Sequence, residues 1–439
     1  MAIDTLALDR DIARGARAAQ RFLESLRRNL PRAEEDHPLA SVRWVAGKTT
    51  FDEVSRWPEG DPMREPFRRW VLYLALVRIA REPLLEAARA WHAPHRVPEP
   101  EPTIASPREL VLRILRERVL AKRRAWIAAL AREGGEVAAA SKRRDEALAE
   151  IASRMGVEDP WSMWLPVPRA RVQELAQAFL ARTDELASQL LKGGEVAQVL
   201  EVGLAREVRG SWPVNADRFL GEAFGRTELV RHLRLETGPM PELLGASSLV
   251  RALARFGRAY AEAAAPREAP FALAHDPVEL HPRRRGALFG SLVADTVFLR
   301  RMLGASRDEA RDSSRLVARS LLLALRWEAA RALVFDARTS PTVVEEVFCR
   351  ATAVPWPRPL AHVLPKSTPL ALVRFLAALL AMRDRDEMVQ RFDEDWFRNP
   401  HGLRHLREED GTLGRSPVRP ETLDETVSAL ASQLEKDVA

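Results

Sequence analysis

A large all-α body of many helices is the architecture this sequence predicts, on three observations. Ala, Leu, Arg and Glu, all good helix formers, dominate its 439 residues. Glycine is scarce, at 21 residues, which argues against a turn-rich β architecture. Apolar residues recur at three- and four-residue steps along most of the chain, most plainly in Leu249–Ala263. There Leu249, Leu253, Phe256 and Tyr260 make one face, and Arg251, Arg255 and Arg258 recur at the same steps on another.

In chain order, Thr5–Leu30 has helical periodicity and Pro31 follows it. Leu39–Gly60 reads as irregular, with Pro38, Gly47, Pro58 and Gly60 as breaks. It contains Gly47-Lys48-Thr49-Thr50, the tail of a phosphate-binding loop, but Val42 stands where the motif needs its first glycine. Asp61–Ala90 reads as one strong helix, with Trp70, Leu72, Leu74, Val77 and Ile79 among its apolar positions. Ala93–Pro107 is proline-rich and reads as an extended, exposed connection. Glu109–Arg132 and Glu136–Met155 read as an antiparallel pair turning at Gly134-Gly135. Pro160–Pro168 is an apolar loop whose Trp161 and Trp164 pack beneath it.

Arg169–Leu191 and Glu195–Val208 are the next helices, and Asn215–Phe224 and Glu228–Leu235 are shorter ones. After the Leu249–Ala263 helix comes a loop, Pro266–Pro282, then long helices over Arg283–Leu303 and Arg307–Val334. Pro341–Cys349 is a short helix, and Val354–Pro365 is again proline-rich. Pro369–Met382, Glu387–Phe392 and Pro420–Lys436 complete the helices. No repeat of 20 to 50 residues is evident, and no strand is expected.

Composition narrows the function classes. The net charge is +6, from 68 basic and 62 acidic residues, and only six of the basic residues are lysine. Spread over this length, that is a weak basic signal, and most arginines are expected on solvated helix faces and in ion pairs. A single cysteine, Cys349, permits no internal disulfide and no cysteine-based zinc cluster. The first nine residues lack a basic region followed by an apolar run, so no secretory signal is expected. The most apolar stretch, Pro369–Met382, is broken by Arg374 and is far shorter than the ~20 residues that span a bilayer. The expectation is a cytoplasmic protein with no membrane partner.

The search for chemistry is largely negative. None of the nine histidines begins a His-Glu-x-x-His motif, in which two imidazoles on one helical face bind zinc and the glutamate activates water. His401 and His405 have the four-residue spacing, but Gly402 stands where the glutamate belongs. The densest His/acid cluster is His275, Asp276, Glu279 and His281. No Gly-x-Ser-x-Gly elbow occurs.

The segment Arg391-Phe-Asp-Glu-Asp-Trp-Phe-Arg-Asn-Pro400, followed by Leu403 and Leu406, resembles the closing segment of the oligoendopeptidase F-like and thimet-oligopeptidase-like zinc peptidases. Upstream, Leu325-Arg-Trp-Glu-Ala-Ala-Arg331 resembles a helix of the same family, at about the right separation. The resemblance is clearest over Leu243–Glu408. It implies two helical lobes around a deep cleft, an N-terminal lobe over 1–212 and a C-terminal lobe over 213–439. It also lays the family's His-Glu-x-Gly-His-Ala over Ala254-Arg255-Phe256-Gly257-Arg258-Ala259. Glycine and the final alanine match, whereas the two histidines and the glutamate do not. The third ligand, a glutamate, would fall near Gly286–Phe289, where no acid occurs. Arginine cannot ligate a metal.

The resulting expectation is a non-catalytic, peptidase-like scaffold with its zinc site lost, no cofactor, and a protein or peptide partner. Arg251, Arg255, Arg258, Arg283, Arg284 and Arg285 are the candidate cleft residues, since guanidinium pairs well with carboxylate and phosphate. One alternative is a metal-dependent hydrolase with relocated ligands drawn from His275, Asp276, Glu279, His281, His401 and His405. The other is a basic helical nucleic-acid-binding protein, supported by a pI near 9.9 but lacking any recognisable module.

Overall fold

The fold is all-α, with nineteen α-helices and a single two-stranded sheet among the described residues. The computed structural model describes residues 3–28, 39–98, 100–191, 194–205, 212–213, 215–224, 246–335, 340–361, 363–364, 370–411 and 422–438. The expected helix Glu228–Leu235 lies outside them.

The first helix, α1 (Thr5–Arg28), follows its periodicity. The stretch expected to be irregular contains α2 (Lys48–Ser55). This helix disposes of the phosphate-loop reading. Lys48 opens it and pairs with Asp52 at 2.8 Å, Thr50 donates its hydroxyl to the Trp44 carbonyl at 2.6 Å, and a helical turn rather than a strand precedes it. The helix expected over Asp61–Ala90 is two, α3 (Arg64–Ile79) and α4 (Arg81–His92). Pro83 explains the break: it has no N–H for the Ile79 carbonyl, and its ring crowds that carbonyl.

The proline-rich connection forms a hairpin, β1 (His95–Val97) against antiparallel β2 (Thr103–Ala105), with Arg96 opposite Ile104. Residues before prolines are held extended, and Val97, Thr103 and Ile104 favour that backbone. Next come α5 (Pro107–Arg116), opened by a Ser106–Glu109 capping box, and α6 (Leu120–Arg154). The turn expected at Gly134-Gly135 is absent, because α6 runs straight through it. Gly134 is there for contact: a Cβ on it would lie 2.6 Å from the Pro359 carbonyl oxygen, whereas one on Gly135 would meet nothing.

The rest of the chain adds α7 (Pro160–Trp164), α8 (Arg169–Leu191), α9 (Val196–Leu204), α10 (Ala216–Phe224), α11 (Ala246–Ala264) and the short α12 (Phe271–Ala274). The single helix expected over Arg283–Leu303 is α13 (Leu280–Ser291) and α14 (Thr296–Leu303), divided where Asp295 caps the second. Then come α15 (Arg307–Leu333), α16 (Pro341–Thr352), α17 (Ala371–Phe392), α18 (Pro400–Asp410) and α19 (Leu423–Val438). Among the described residues no helix is long and apolar enough to cross a membrane.

Two apolar cores result. The larger draws on α1–α9 and also on α15–α17 and α19, so it cuts across the boundary at residue 212 between the two expected lobes. The smaller gathers α10, α11, α13 and α14 around Phe256, Phe289 and Phe298. The Trp-Phe-Arg-Asn-Pro string closes this second core. Trp396 and Phe397 are buried against Phe289 and Phe298, at 5.6 and 5.3 Å between ring centres. Asn399 caps α18 by accepting the His401 N–H at 3.0 Å, and Pro400 takes the first helical position.

Candidate functional site

A cleft of about 1720 Å³ opens between the two cores. One side is built by α1, α3, α4, the end of α6 and α7. The other is α11 with the segment from α12 to the start of α13, and the ends of α15 and α17 close the bottom.

The lining carries both signs: Arg144 and Arg169 stand with the acids of the α6–α7 side, and Glu24, Glu262, Asp276 and Glu279 stand among the arginines of α1, α11 and α13. Asp145, Glu146, Glu150, Glu158 and Asp159 stand on the α6–α7 side. Across from them are Arg255 and Arg258 on α11, Arg283 on α13, Arg331 on α15 and Arg374 on α17, with Arg27 on α1. Several arginines of this lining are partly or fully buried. Arg331 is 6% exposed, and burial lowers both Arg331 and Arg283 to about 10. Glu279 opposes that lowering at Arg283, while Arg258, Arg374 and Arg27 add to it. Glu328 and Arg374 act on Arg331 in the same opposing senses.

An aromatic wall flanks this bottom. Tyr73 meets Trp164 edge-on at 6.3 Å, Trp164 meets Trp161 at 5.2 Å, and Trp161 meets Phe335 at 5.0 Å. Burial and then the Glu279 carboxylate push the Tyr73 phenol up to about 12, so at neutral pH it keeps its proton and can donate.

The candidate arginines part company. Arg258 and Arg283 share Glu279, at 2.5 and 2.8 Å, and both line the cleft. Arg255 lines it from an exposed position. Arg251 is exposed and lies outside the lining. Arg284 and Arg285 do not line the cleft; both are buried. Arg284 grips Asp384 with two nitrogens, and Arg285 donates to Asp384, Glu409 and Asp410 at 2.6, 2.6 and 2.7 Å. Successive helical residues point about 100° apart, so a run of three arginines cannot share one face.

The candidate metal ligands do not converge either. Asp276 accepts the backbone N–H groups of Val278 and Leu280, and Glu279 is held by the two arginines. His275 lies on the Phe271 ring, and its carbonyl accepts the Trp70 indole N–H at 3.0 Å. His281 turns to Asp410 at 2.7 Å. His401 is exposed at the start of α18, and His405 faces Arg391 and Glu387. Among the described residues no group of three or more His, Cys, Asp or Glu side chains is placed to hold a metal ion.

Arg27, Tyr73, Arg331 and Arg374 belong to the site but were not among the candidates. Two of them carried a signal: Arg374 interrupts the most apolar stretch of the sequence, and Arg331 stands among Ala329, Ala330 and Ala332, all buried. A charge in such a run needs a destination, either a partner or a cleft. Compared with known proteins, the chain matches no family model and no curated protein.

The ion cluster behind the cleft sets an expected acid response. Burial works to raise the Asp410 carboxyl, but the His281 hydrogen bond and the Arg285 charge outweigh it and hold the group below its ordinary range. Glu409 is depressed likewise, with Arg285 and Arg284 overcoming burial. A depressed carboxylate stabilises the fold above its unfolded-state pKa of about 4, and that stability is lost as pH falls through the folded value. Unfolding free energies from urea denaturation, taken downward from neutral pH, should therefore drop below about pH 4, by up to ~1.4 kcal/mol per pH unit for each carboxylate titrating. Asp410→Asn should be less stable at neutral pH and show a shallower acid slope. Equal slopes in the two proteins would refute the assignment.

Proposed function

We propose that the chain is a non-catalytic, peptidase-like helical scaffold whose cleft binds an acidic segment of a protein or peptide partner. The observation that carries this reading is the gathering of Arg27, Arg258, Arg283, Arg331 and Arg374 on the cleft lining, where Arg258 and Arg283 pair with Glu279 and Arg331 and Arg374 pair with Glu328. Guanidinium groups in a recess favour carboxylates, and the low dielectric of the recess strengthens the pairing.

The loss of peptidase chemistry is supported by what stands at the positions the resemblance assigns to the metal. Arg258 occupies the second histidine position and is committed to Glu279. Near the third-ligand position, helices α11 and α13 touch through backbone: a Cβ on Gly286 would lie 2.7 Å from the Ala254 carbonyl oxygen and 2.9 Å from Arg258 Cγ.

The test uses fluorescein-labelled decapeptides rich in Asp and Glu, with neutral and Lys-rich peptides for comparison, and quenched fluorogenic peptides with and without added zinc. Acidic peptides should bind about ten-fold or more tighter than neutral ones, a difference of ~1.4 kcal/mol, and every peptide should stay intact. Zinc-dependent cleavage, or equal binding of all three classes, would overturn the proposal.

A further inference from the structure

Outside the cleft, an indole and three arginines gather on one surface. Trp44 follows the helical turn Ala40–Val42 and is 43% exposed, and among the described residues no other aromatic side chain is exposed. A lone exposed apolar group is ordinary, but this one is fixed in place. Its indole N–H donates at 3.1 Å to Oδ2 of Asp11, a buried residue of α1. The other carboxylate oxygen, Oδ1, faces Arg14 at 3.2 Å and Arg10 at 3.7 Å. One carboxylate thus holds the ring and two guanidiniums together, and the two arginines are one helical turn, ~6 Å, apart along α1. Arg43 adds a third guanidinium. It is exposed and has no ion-pair partner among the described residues. Its charge reaches Arg78 of α3, which is lowered first by burial and then by Arg43. The acids nearby in these elements act elsewhere: Asp4 and Asp9 accept backbone N–H groups, and Asp52 and Glu53 pair with Lys48 and Arg56. Among the described residues no guanidinium lies over the Trp44 ring.

We propose that Trp44, Arg10, Arg14 and Arg43 form a binding site for single-stranded nucleic acid, with one base stacked on the indole and the adjoining phosphates held by the guanidiniums. Every base has a π-face, so stacking on an indole is strong and tolerant of sequence. Arginine stays charged and matches phosphate with paired N–H donors. The chemistry selects a single strand over a duplex, because a base within a duplex already has its faces covered by its neighbours. The Asp11 hydrogen bond orients the indole before the strand arrives, so less side-chain freedom is lost on binding. An anionic bilayer would also attract arginines, but insertion rewards several apolar side chains together, and arginines flank this indole. The site lies outside the cleft, so it stands or falls separately from peptide binding there.

The test is fluorescence anisotropy of the full chain with fluorescein-labelled oligo-dT and oligo-rU decanucleotides, and with a DNA duplex of the same length, at low and at raised salt. Either single strand should bind about ten-fold or more tighter than the duplex, and binding should weaken as salt rises. The tighter of the two strands identifies the source as DNA or RNA. Trp44→Leu should weaken binding about ten-fold, and Trp44→Phe, which keeps a ring, should lose less. Because Trp44 is half-buried, Arg43→Glu is the further variant: its side chain is exposed, so the fold should stay intact while strand binding falls about ten-fold. Co-sedimentation with phosphatidylglycerol vesicles is the companion measurement. Vesicle capture without strand binding would overturn the proposal in favour of a membrane surface. Equal affinity for strand and duplex, equal losses in Trp44→Leu and Trp44→Phe, or undiminished binding in a folded Arg43→Glu protein would overturn it outright.

Discussion

Replacing Asp384 with alanine is expected to destabilise the fold by about 3–5 kcal/mol, the usual consequence of removing one partner from a buried ion cluster. Asp384 sits on α17 with a side chain 2% exposed, and it accepts from both Arg284 and Arg285 of α13. Arg285 is completely buried and would keep Glu409 and Asp410. Among the described residues, Arg284 would keep only Glu409, at 3.8 Å. The cost therefore comes from a desolvated guanidinium left without its two-pronged partner, more than from the attraction lost. Urea denaturation with an unchanged slope would measure it. Asp384→Asn preserves the shape and should lose less. Restoring some stability by combining Arg284→Met with Asp384→Ala would show that the penalty is the orphaned charge. Glu53→Ala, which removes an exposed pair with Arg56 at 3.5 Å, should cost less than about 1 kcal/mol. A similar small loss at Asp384 would sink the argument.

That cluster also shows where sequence reading reaches its limit. Periodicity locates α1, α8, α11 and α15 closely, because each has an apolar face that only a helix can bury on one side. Pairings across the chain are another matter. Gly134 reads as a turn until Pro359 is placed against it, and Arg283, Arg284 and Arg285 read as one basic patch until Asp384 and Asp410 arrive from α17 and α18. Each of those residues takes its role from a contact far away in sequence. The cleft is legible in part for the same reason. Arg255 and Arg258 follow from one helix, whereas Arg331 and Arg374 become cleft residues only when the ends of α15 and α17 meet.

Gly257→Ala tests the tightest of those distant contacts, and its sign is a competition. Alanine in a helix interior gains about 1 kcal/mol over glycine. Gly257, however, lies where α11 crosses α13. An added Cβ would stand 2.3 Å from the Arg285 carbonyl oxygen, 2.8 Å from its carbon and 2.9 Å from Phe289 Cδ2. The obstacle is backbone, so no side chain can swing away. The helices would have to part by about 1 Å to restore ordinary contact, and overpacking of that kind costs about 1–3 kcal/mol or more. Parting them would also loosen Phe289 from Phe256 and Tyr260, now at 5.0 and 5.8 Å between ring centres. Arg285 would be pulled from its carboxylates in the same movement. Sterics should therefore win, with a net loss of about 2 kcal/mol. Gly135→Ala is the matched control: it lies inside α6 with nothing near its Cβ position, and should gain up to about 1 kcal/mol. The separation matters for binding too, because Arg255 and Arg258 reach the cleft from α11 and Arg283 reaches it from α13. A Gly257→Ala protein that stays folded should therefore bind acidic peptides more weakly, although it has lost none of the arginines that line the cleft. Equal stability of the two alanine variants would mean that the crossing is looser than these distances require.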